Sequence, residues 1–235
     1  THDMQTINFG IDLGTTNSLI AKYTTAGVEV FKNPIGFKET LPSCVAFRGD
    51  RIIIGDKARE WLLKDPLNVF VGFKRKMGTS ESYFSQQKNE FYTPIQLSAY
   101  ILTELKNFIH TQEKPDSIVI TIPASFDTVQ SNATKKAGYE AGFKEVVLLQ
   151  EPIAASLAFF NKQLDEETNG KWLVYDLGGG TFDVALIGIN NGEMRVIDHQ
   201  GDNFLGGLDF DHSIVMDIVL PKLIQKTGNT ELETE

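Results

Sequence analysis

Two stretches of the chain carry the same chemistry. Asp12-Leu13-Gly14-Thr15-Thr16-Asn17 and, 164 positions later, Asp176-Leu177-Gly178-Gly179-Gly180-Thr181 each end an apolar run on an aspartate, then turn through glycine or threonine. Glycine is costly inside a sheet, because it loses the most backbone entropy and packs nothing. Small residues at a turn let a phosphate approach the backbone, whose N–H groups then point at it. Thr15, Thr16 and Thr181 add hydroxyl donors. An aspartate beside a phosphate repels it unless a cation lies between, so Asp12 and Asp176 suit outer-sphere ligation of a hydrated Mg²⁺. Either segment alone could be no more than a tight hairpin. The pair, each with the same aspartate, favours a clamp that closes on a phosphate chain from both sides.

Competing chemistry finds little support. There is no GxxxxGK loop followed by Ser or Thr, and no GxGxxG between a strand and a helix. His2, His110, His199 and His212 sit at no metal-ligand spacing with Cys or acid, and read as surface or capping residues. The single cysteine, Cys44, excludes an internal disulfide and reads as a small buried apolar side chain. With 31 acidic against 22 basic residues and a net charge of −9, nucleic acid and anionic membranes are disfavoured as partners. No apolar run approaches the ~20 residues of a bilayer span. No signal peptide is visible, so a cytosolic protein is expected.

The elements that must position the two segments follow from periodicity. Around the first, "QTINFGID", "SLIAKY" and "VEVF" read as three strands joined by tight turns, then "LPSCVAF" and "RIIIG" as two more. "DKAREWLLK" reads as a short helix capped by Asp56, and residues 64–92 as loops. From Thr93 a long amphipathic helix is expected, with Pro94 at its first position and Leu97, Ile101, Leu105, Phe108 and Ile109 on one face. "DSIVITIPA" and "EVVLLQ" read as strands buried on both faces of a parallel sheet. "FDTVQSNATKKAGYEAGF" reads as a helix, and "EPIAASLAFFNKQL" as another starting at Pro152. After the polar turn "DEETNGK", the strands "WLVYDL", "TFDVALIGI" and "EMRVIDHQ" form a meander. One amphipathic helix from about Gly207 to Gly228 then leads to a frayed acidic end. Strand–helix alternation of this kind argues for α/β layers.

The two glycine-bearing meanders look like one supersecondary unit used twice. Three helix–strand steps follow the first copy, whereas only one helix follows the second. The expected organisation is a first lobe over residues 1–165 and the start of a second, incomplete lobe over 166–235, so that the chain reads as a fragment.

Six strings in this order, "GIDLGTTNS", "VITIPASF", "ATKKAGYEAGF", "LLQEPIAASLAF", "VYDLGGGTFDVAL" and "GDNFLGGLDFD", resemble the N-terminal ATPase domain of the heat-shock protein 70 (DnaK-like) chaperones. The resemblance runs from about residue 6 to 217. It implies an actin-like, ribonuclease H-like ATPase fold, with a mixed five-stranded sheet flanked by helices in the first lobe. It also implies ATP or ADP with Mg²⁺ in a cleft between lobes, and ATP hydrolysis by in-line attack of water. On this resemblance Gly14, Thr15, Thr16 and Asn17 form the first phosphate loop, and Gly178, Gly179, Gly180 and Thr181 the second. Gly206 and Gly207 also border the nucleotide. Lys74 in "GFKRKMG" matches the family's lysine that reaches the terminal phosphate and the attacking water, although composition alone would make it a surface lysine. Asp12, Asp176, Glu151 and Thr181 would organise the metal and the water, with Asp183 a further candidate. Glu151 could equally be a first-turn carboxylate facing the helix dipole.

The resemblance further implies unfolded or extended peptides as clients of a C-terminal domain, with a J-domain co-chaperone and a nucleotide-exchange factor as partners. Pro123 and the residue at Ser131 are tied in the family to interdomain coupling. Arginine is usual where Ser131 stands, and an acid where Leu208 stands, which marks a divergent member with that coupling in doubt. With the adenosine-binding part of the second lobe outside the chain, weak nucleotide binding is expected of these residues alone. An actin-like or sugar-kinase-like phosphotransferase and a non-catalytic regulatory relative are the alternatives.

Overall fold

The structure, a computed structural model, describes residues 6–160 and 169–233. Strands β1 (Phe9–Leu13), β2 (Asn17–Thr24) and β3 (Gly27–Val30) form the first meander, and β4 (Leu41–Pro42) pairs with the start of β2. Next come β5 (Cys44–Arg48), β6 (Arg51–Ile54) and β7 (Val69–Val71), a small antiparallel sheet in the order β6-β5-β7. The hairpin β8 (Tyr83–Ser85) and β9 (Glu90–Tyr92) follows. Strands β10 (Ser117–Ile122) and β11 (Glu145–Gln150) then return to the main sheet in parallel. That sheet has the order β11-β10-β1-β2-β3, the expected five strands, with β4 as a sixth beside β2. The second meander, β12 (Gly170–Leu177), β13 (Phe182–Asn190) and β14 (Glu193–Asp202), is a separate three-stranded antiparallel sheet. Mixed parallel and antiparallel pairing with helices packed on it makes the chain α/β, as expected.

Several helices start where their capping chemistry puts them. Helix α1 (Asp56–Arg59) is the exception to the reading: Gly55, not Asp56, is its cap. Gly55 stands at φ 77, a conformation that suits glycine, and Asp56 instead pairs with Lys38 at 2.9 Å and Arg59 at 3.3 Å. Helix α2 (Pro94–Lys106) begins on a capping box: the Gln96 amide donates to Thr93 Oγ1 at 3.2 Å, and the Thr93 amide donates to Gln96 Oε1 at 2.8 Å. Its Leu97, Ile101 and Leu105 are fully buried, and Phe108 continues that face just past the helix end. Asp127 and Gln130 build the same device at α3 (Thr128–Glu140). Helix α4 (Glu151–Phe160) starts one residue before Pro152. Its expected continuation, the first four residues of the turn that begins at Asp165 and the 165/166 lobe boundary lie outside the described residues, as do His2 and Gln5 at the head of "QTINFGID", while Gly170 and Lys171 of that turn already belong to β12.

The tail is helical without a gap from Gly207 to Thr227 and ends on Gly228, as expected, but its α-helical pattern is interrupted: α5 (Gly207–Ile214) passes through a π-helical turn, Val215–Val219, into α6 (Leu220–Thr227). Pro221 explains the interruption, since its ring crowds the carbonyl four residues back and it has no amide to donate. Residues 64–92 are not plain loop. They hold 3₁₀ turns at Pro66–Asn68 and Phe73–Lys76 and three strands of three residues each, too short to show alternation. Nor is β11 buried on both faces, because it is the sheet edge and leaves Val147 exposed. Strand β10 alternates between buried and half-buried residues.

The main core lies between the large sheet and α2 and α3, around Ile11, Ile20, Phe47, Leu102, Phe108 and Ile120. A smaller core holds Phe160 of α4 against Ala185, Ile187 and Ile189 of β13. Cys44 is buried, and desolvation pushes its thiol up to about 12, so it behaves as the small apolar residue expected. Among the described residues no helix is long and apolar enough to cross a membrane.

Candidate functional site

The first glycine turn is braced from behind. Its Gly14 amide donates to Ser18 Oγ at 3.2 Å, and Ser43 Oγ donates to the Gly14 carbonyl at 2.8 Å. Ser18 and Ser43 also share a buried hydrogen bond of 2.9 Å, and the Ser43 amide donates to the Thr16 carbonyl at 2.8 Å. A Cβ on Gly14 would overlap the Asn17 carbonyl oxygen, so the turn closes too tightly for any other residue.

The second turn closes by Gly178 N–H donating to the Thr181 carbonyl at 2.9 Å. It is backed by the first turn of α5: the Gly207 amide donates to the Gly178 carbonyl at 3.0 Å, and the Leu208 amide to the Gly179 carbonyl at 2.9 Å. None of Gly178, Gly179 and Gly180 has a positive φ. Their smallness is needed instead because the two turns touch: a Cβ on Gly179 would overlap Thr16 Oγ1, and one on Gly180 would overlap Thr15. Among the described residues the amides of Thr15, Thr16, Gly179 and Gly180 have no hydrogen-bond partner, and neither has the buried Thr16 hydroxyl.

Between the turns lies a cleft of about 460 Å³. Its lining takes Asp12, Gly14, Thr15, Thr16 and Asn17 from the first turn, Asp176, Gly178, Gly179 and Thr181 from the second, and Lys74, Thr121 and Glu151 from elsewhere in the chain. Lys74 is only 5% exposed, and its Nζ donates to Glu151 Oε1 at 2.8 Å. The surface-lysine alternative is thereby removed. Burial pushes the Glu151 carboxyl above its usual range, Lys74 opposes that, and the carboxylates of Asp12 and Asp176 add to it. Asp12 is held by Thr121 Oγ1, which donates to its Oδ1 at 3.0 Å.

The remaining expected residues lie around this cleft rather than in its lining. Gly180, Gly206 and Gly207 stand behind the second turn, and a Cβ on Gly206 would come 2.5 Å from the Gly180 nitrogen. Asp183 is buried beneath, with Ser125 Oγ 3.5 Å from its Oδ2 and no partner for Oδ1 among the described residues. Burial raises its carboxyl, with Ser125 opposing and Asp176 adding to the rise. Pro123 is buried after β10, and Ser131 is half-buried on α3; neither lines the cleft. His110, His199 and His212 are all exposed, and His110 also packs edge-on to Phe31.

Sequence reasoning missed Thr121, Arg75 and Asp209. Arg75 stands next to Lys74, but its partner Asp209 is 134 residues away, and nothing in either segment signals the pairing. Among the described residues no three His, Cys, Asp or Glu side chains are grouped to hold a metal ion directly. The donor set suits a cation bound through its water shell, since two carboxylates flank a cleft that also offers unpaired amides and a hydroxyl.

A family model described as "Hsp70 protein" matches residues 8–233, nearly the whole chain and all of this cleft. The chain belongs to the Hsp70 family. Among curated proteins, this Hsp70 chain is 46% identical over 208 residues to the chaperone protein DnaK of Mycoplasma mobile, covering 88% of this chain and 34% of the relative. It is 44% identical over 211 residues to DnaK of Ureaplasma parvum, covering 89% and 34%. DnaK of Mycoplasmopsis synoviae is 42% identical over 211 residues, again with 89% and 34% covered. The chain thus spans about a third of the length of the curated relatives it matches. These matches favour the Hsp70 family over the phosphotransferase alternative.

Proposed function

We propose that these residues are the phosphate-binding part of a chaperone ATPase that holds ATP or ADP with Mg²⁺ in the cleft and hydrolyses ATP. The observation that carries the reading is the convergence of two glycine turns on one cleft, with the amides of Thr15, Thr16 and Gly179 unpaired among the described residues, beside the Lys74–Glu151 ion pair. The amides of Thr15, Thr16 and Gly179 hold phosphate oxygens, with the Thr16 and Thr181 hydroxyls beside them and Gly180 as the small residue behind that lets the two turns meet. Asp12 and Asp176 hold the water shell of the metal, Asp12 kept in place by Thr121. Bound Mg²⁺ supplies charge neutralisation at the phosphates. Lys74 brings its ammonium to the terminal phosphate and the attacking water, and Glu151 fixes that ammonium and stands ready to accept a proton. Positioning and charge account for most of phosphoryl transfer, so this set is sufficient in kind.

The base and ribose of the nucleotide are to be bound by residues beyond the described cleft lining. Lobes divided near residue 165, extended peptide clients, a J-domain co-chaperone, an exchange factor and a cytoplasmic location belong to the same proposal, on the strength of membership in the family. Mg·ADP titrated calorimetrically into the full-length protein should bind. Lys74→Ala should then slow ATP turnover about 10²-fold or more with little change in affinity. Unchanged turnover would remove Lys74 from its role.

A further inference from the structure

Lys74 and Arg75 are consecutive residues of one 3₁₀ turn, yet they engage different halves of the molecule. Lys74 points into the cleft at Glu151. Arg75 reaches across to α5, where Nη1 donates to Asp209 Oδ1 at 3.1 Å and Nη2 donates to Oδ2. A planar fork on both oxygens fixes angle as well as distance. Asp209 Oδ2 also accepts the Gly206 amide at 2.8 Å, so the carboxylate gripped by Arg75 is the one that caps α5. The first amides of α5 in turn hold the carbonyls of Gly178 and Gly179. Arg75 also touches the second turn directly, because a Cβ on Gly180 would lie 2.8 Å from its Nε.

We propose that Arg75 is a positioning residue that sets the second phosphate loop against Lys74, through Asp209 and the capped end of α5. This rests on the cleft being the nucleotide site. Any shift of the second turn is transmitted to α5, from there to Asp209 and Arg75, and one peptide bond later to Lys74. The lysine therefore meets the terminal phosphate in register only when the second loop is seated. A separate tie, Ser125 Oγ donating to Asn203 Oδ1 at 2.7 Å, joins the same two halves without Arg75, so loss of the fork should leave the fold intact.

The test compares Arg75→Gln, Arg75→Lys, Asp209→Asn and the Arg75→Gln/Asp209→Asn double variant in the full-length protein. Exchange of the hydrogen-bonded amides of Gly178 and of residues 207–210 should speed up about tenfold in Arg75→Gln and in Asp209→Asn, with the double variant no worse than either. Arg75→Lys should rescue only part of the protection, since an ammonium has no fork. Mg·ADP affinity should fall in parallel, while exchange across β1 and β2 stays unchanged. Unchanged exchange at Gly178, Gly207 and Leu208, additive effects in the double variant, or full rescue by lysine would each overturn the proposal. If Arg75→Gln does not fold, Asp209→Asn decides the matter alone. Failure of the unaltered protein to bind Mg·ADP would defeat the proposed function, while the exchange measurements would still test the clamp.

Discussion

The two glycine turns face each other across one cleft, but they are supported in opposite ways. The first lies between β1 and β2, inside a six-stranded sheet whose strand β1 buries Phe9, Ile11 and Leu13. Behind it stands the buried Ser18–Ser43 pair, which reaches its backbone from a third strand neighbourhood. The second lies between β12 and β13 of a three-stranded sheet, and Leu173, Tyr175 and Leu177 of β12 are exposed. Its support is two hydrogen bonds from the end of α5 and, beyond those, one ion pair. The same local motif thus yields a turn anchored by neutral, buried contacts and another anchored by a charge reaching over from the other half. A duplicated phosphate loop can keep one copy fixed while the position of the other is set from outside.

The largest expected contrast comes from adding one methyl group to each turn. In Gly14→Ala the new Cβ meets the Asn17 carbonyl oxygen, a backbone atom that cannot swing away. Overpacking of that kind costs about 1–3 kcal/mol, and thermal unfolding should report it as a lowered Tm of the half that contains β1. In Gly179→Ala the obstacle is the Thr16 side chain, on the opposite turn. The turns can part to relieve it, so Gly179→Ala should lose Mg·ADP affinity with a smaller change in Tm. Equal Tm losses in both variants would show that the second turn is as rigidly held as the first.

A smaller effect should follow from Ser43→Ala. It removes the donor to the Gly14 carbonyl and leaves Ser18 without its buried partner, a loss of about 1–3 kcal/mol. Exchange of the amides near Gly14 should rise, and exchange near Gly179 should not. A rise at both turns would mean that the braces are shared.

Both turns were legible in the sequence because a glycine break between two alternating runs is a local signal. So were α2 and α3, where Thr93 and Asp127 each precede a glutamine by three residues. The reason for the triple glycine was only half legible. Phosphate access is a property of the turn itself, but overlap with Thr15 and Thr16 depends on a second segment more than 160 positions away. The Arg75–Asp209 fork was invisible for the same reason. Residues 64–92 defeated periodicity because strands of three residues contain no full alternation. Gly55 displaced Asp56 as a cap because a positive φ was needed there, and Leu41 packs where a Cβ would stand.

Acid should distinguish the two supports with the smallest effect. The serines behind the first turn do not titrate in the acid range. Asp209 does, and the hydrogen bond from Arg75, with that from the Gly206 amide, holds its carboxyl below the usual carboxylate range. A carboxyl whose folded pKa is depressed binds protons more readily when unfolded, so its contribution is present above the ordinary value of 3.8 and is lost as pH falls through the folded value. Acidification below about pH 4 should therefore release the second turn before the first. In exchange measured between pH 3 and 5, after correction for intrinsic rates, the amides of Gly178 and of residues 207–210 should lose protection while that of Gly14 keeps its own. Asp209→Asn should abolish that difference in pH response, because its second turn is already released at every pH. If the variant still shows the acid-dependent loss, the titrating group lies elsewhere, and the charge that seats the second loop is not the one on Asp209.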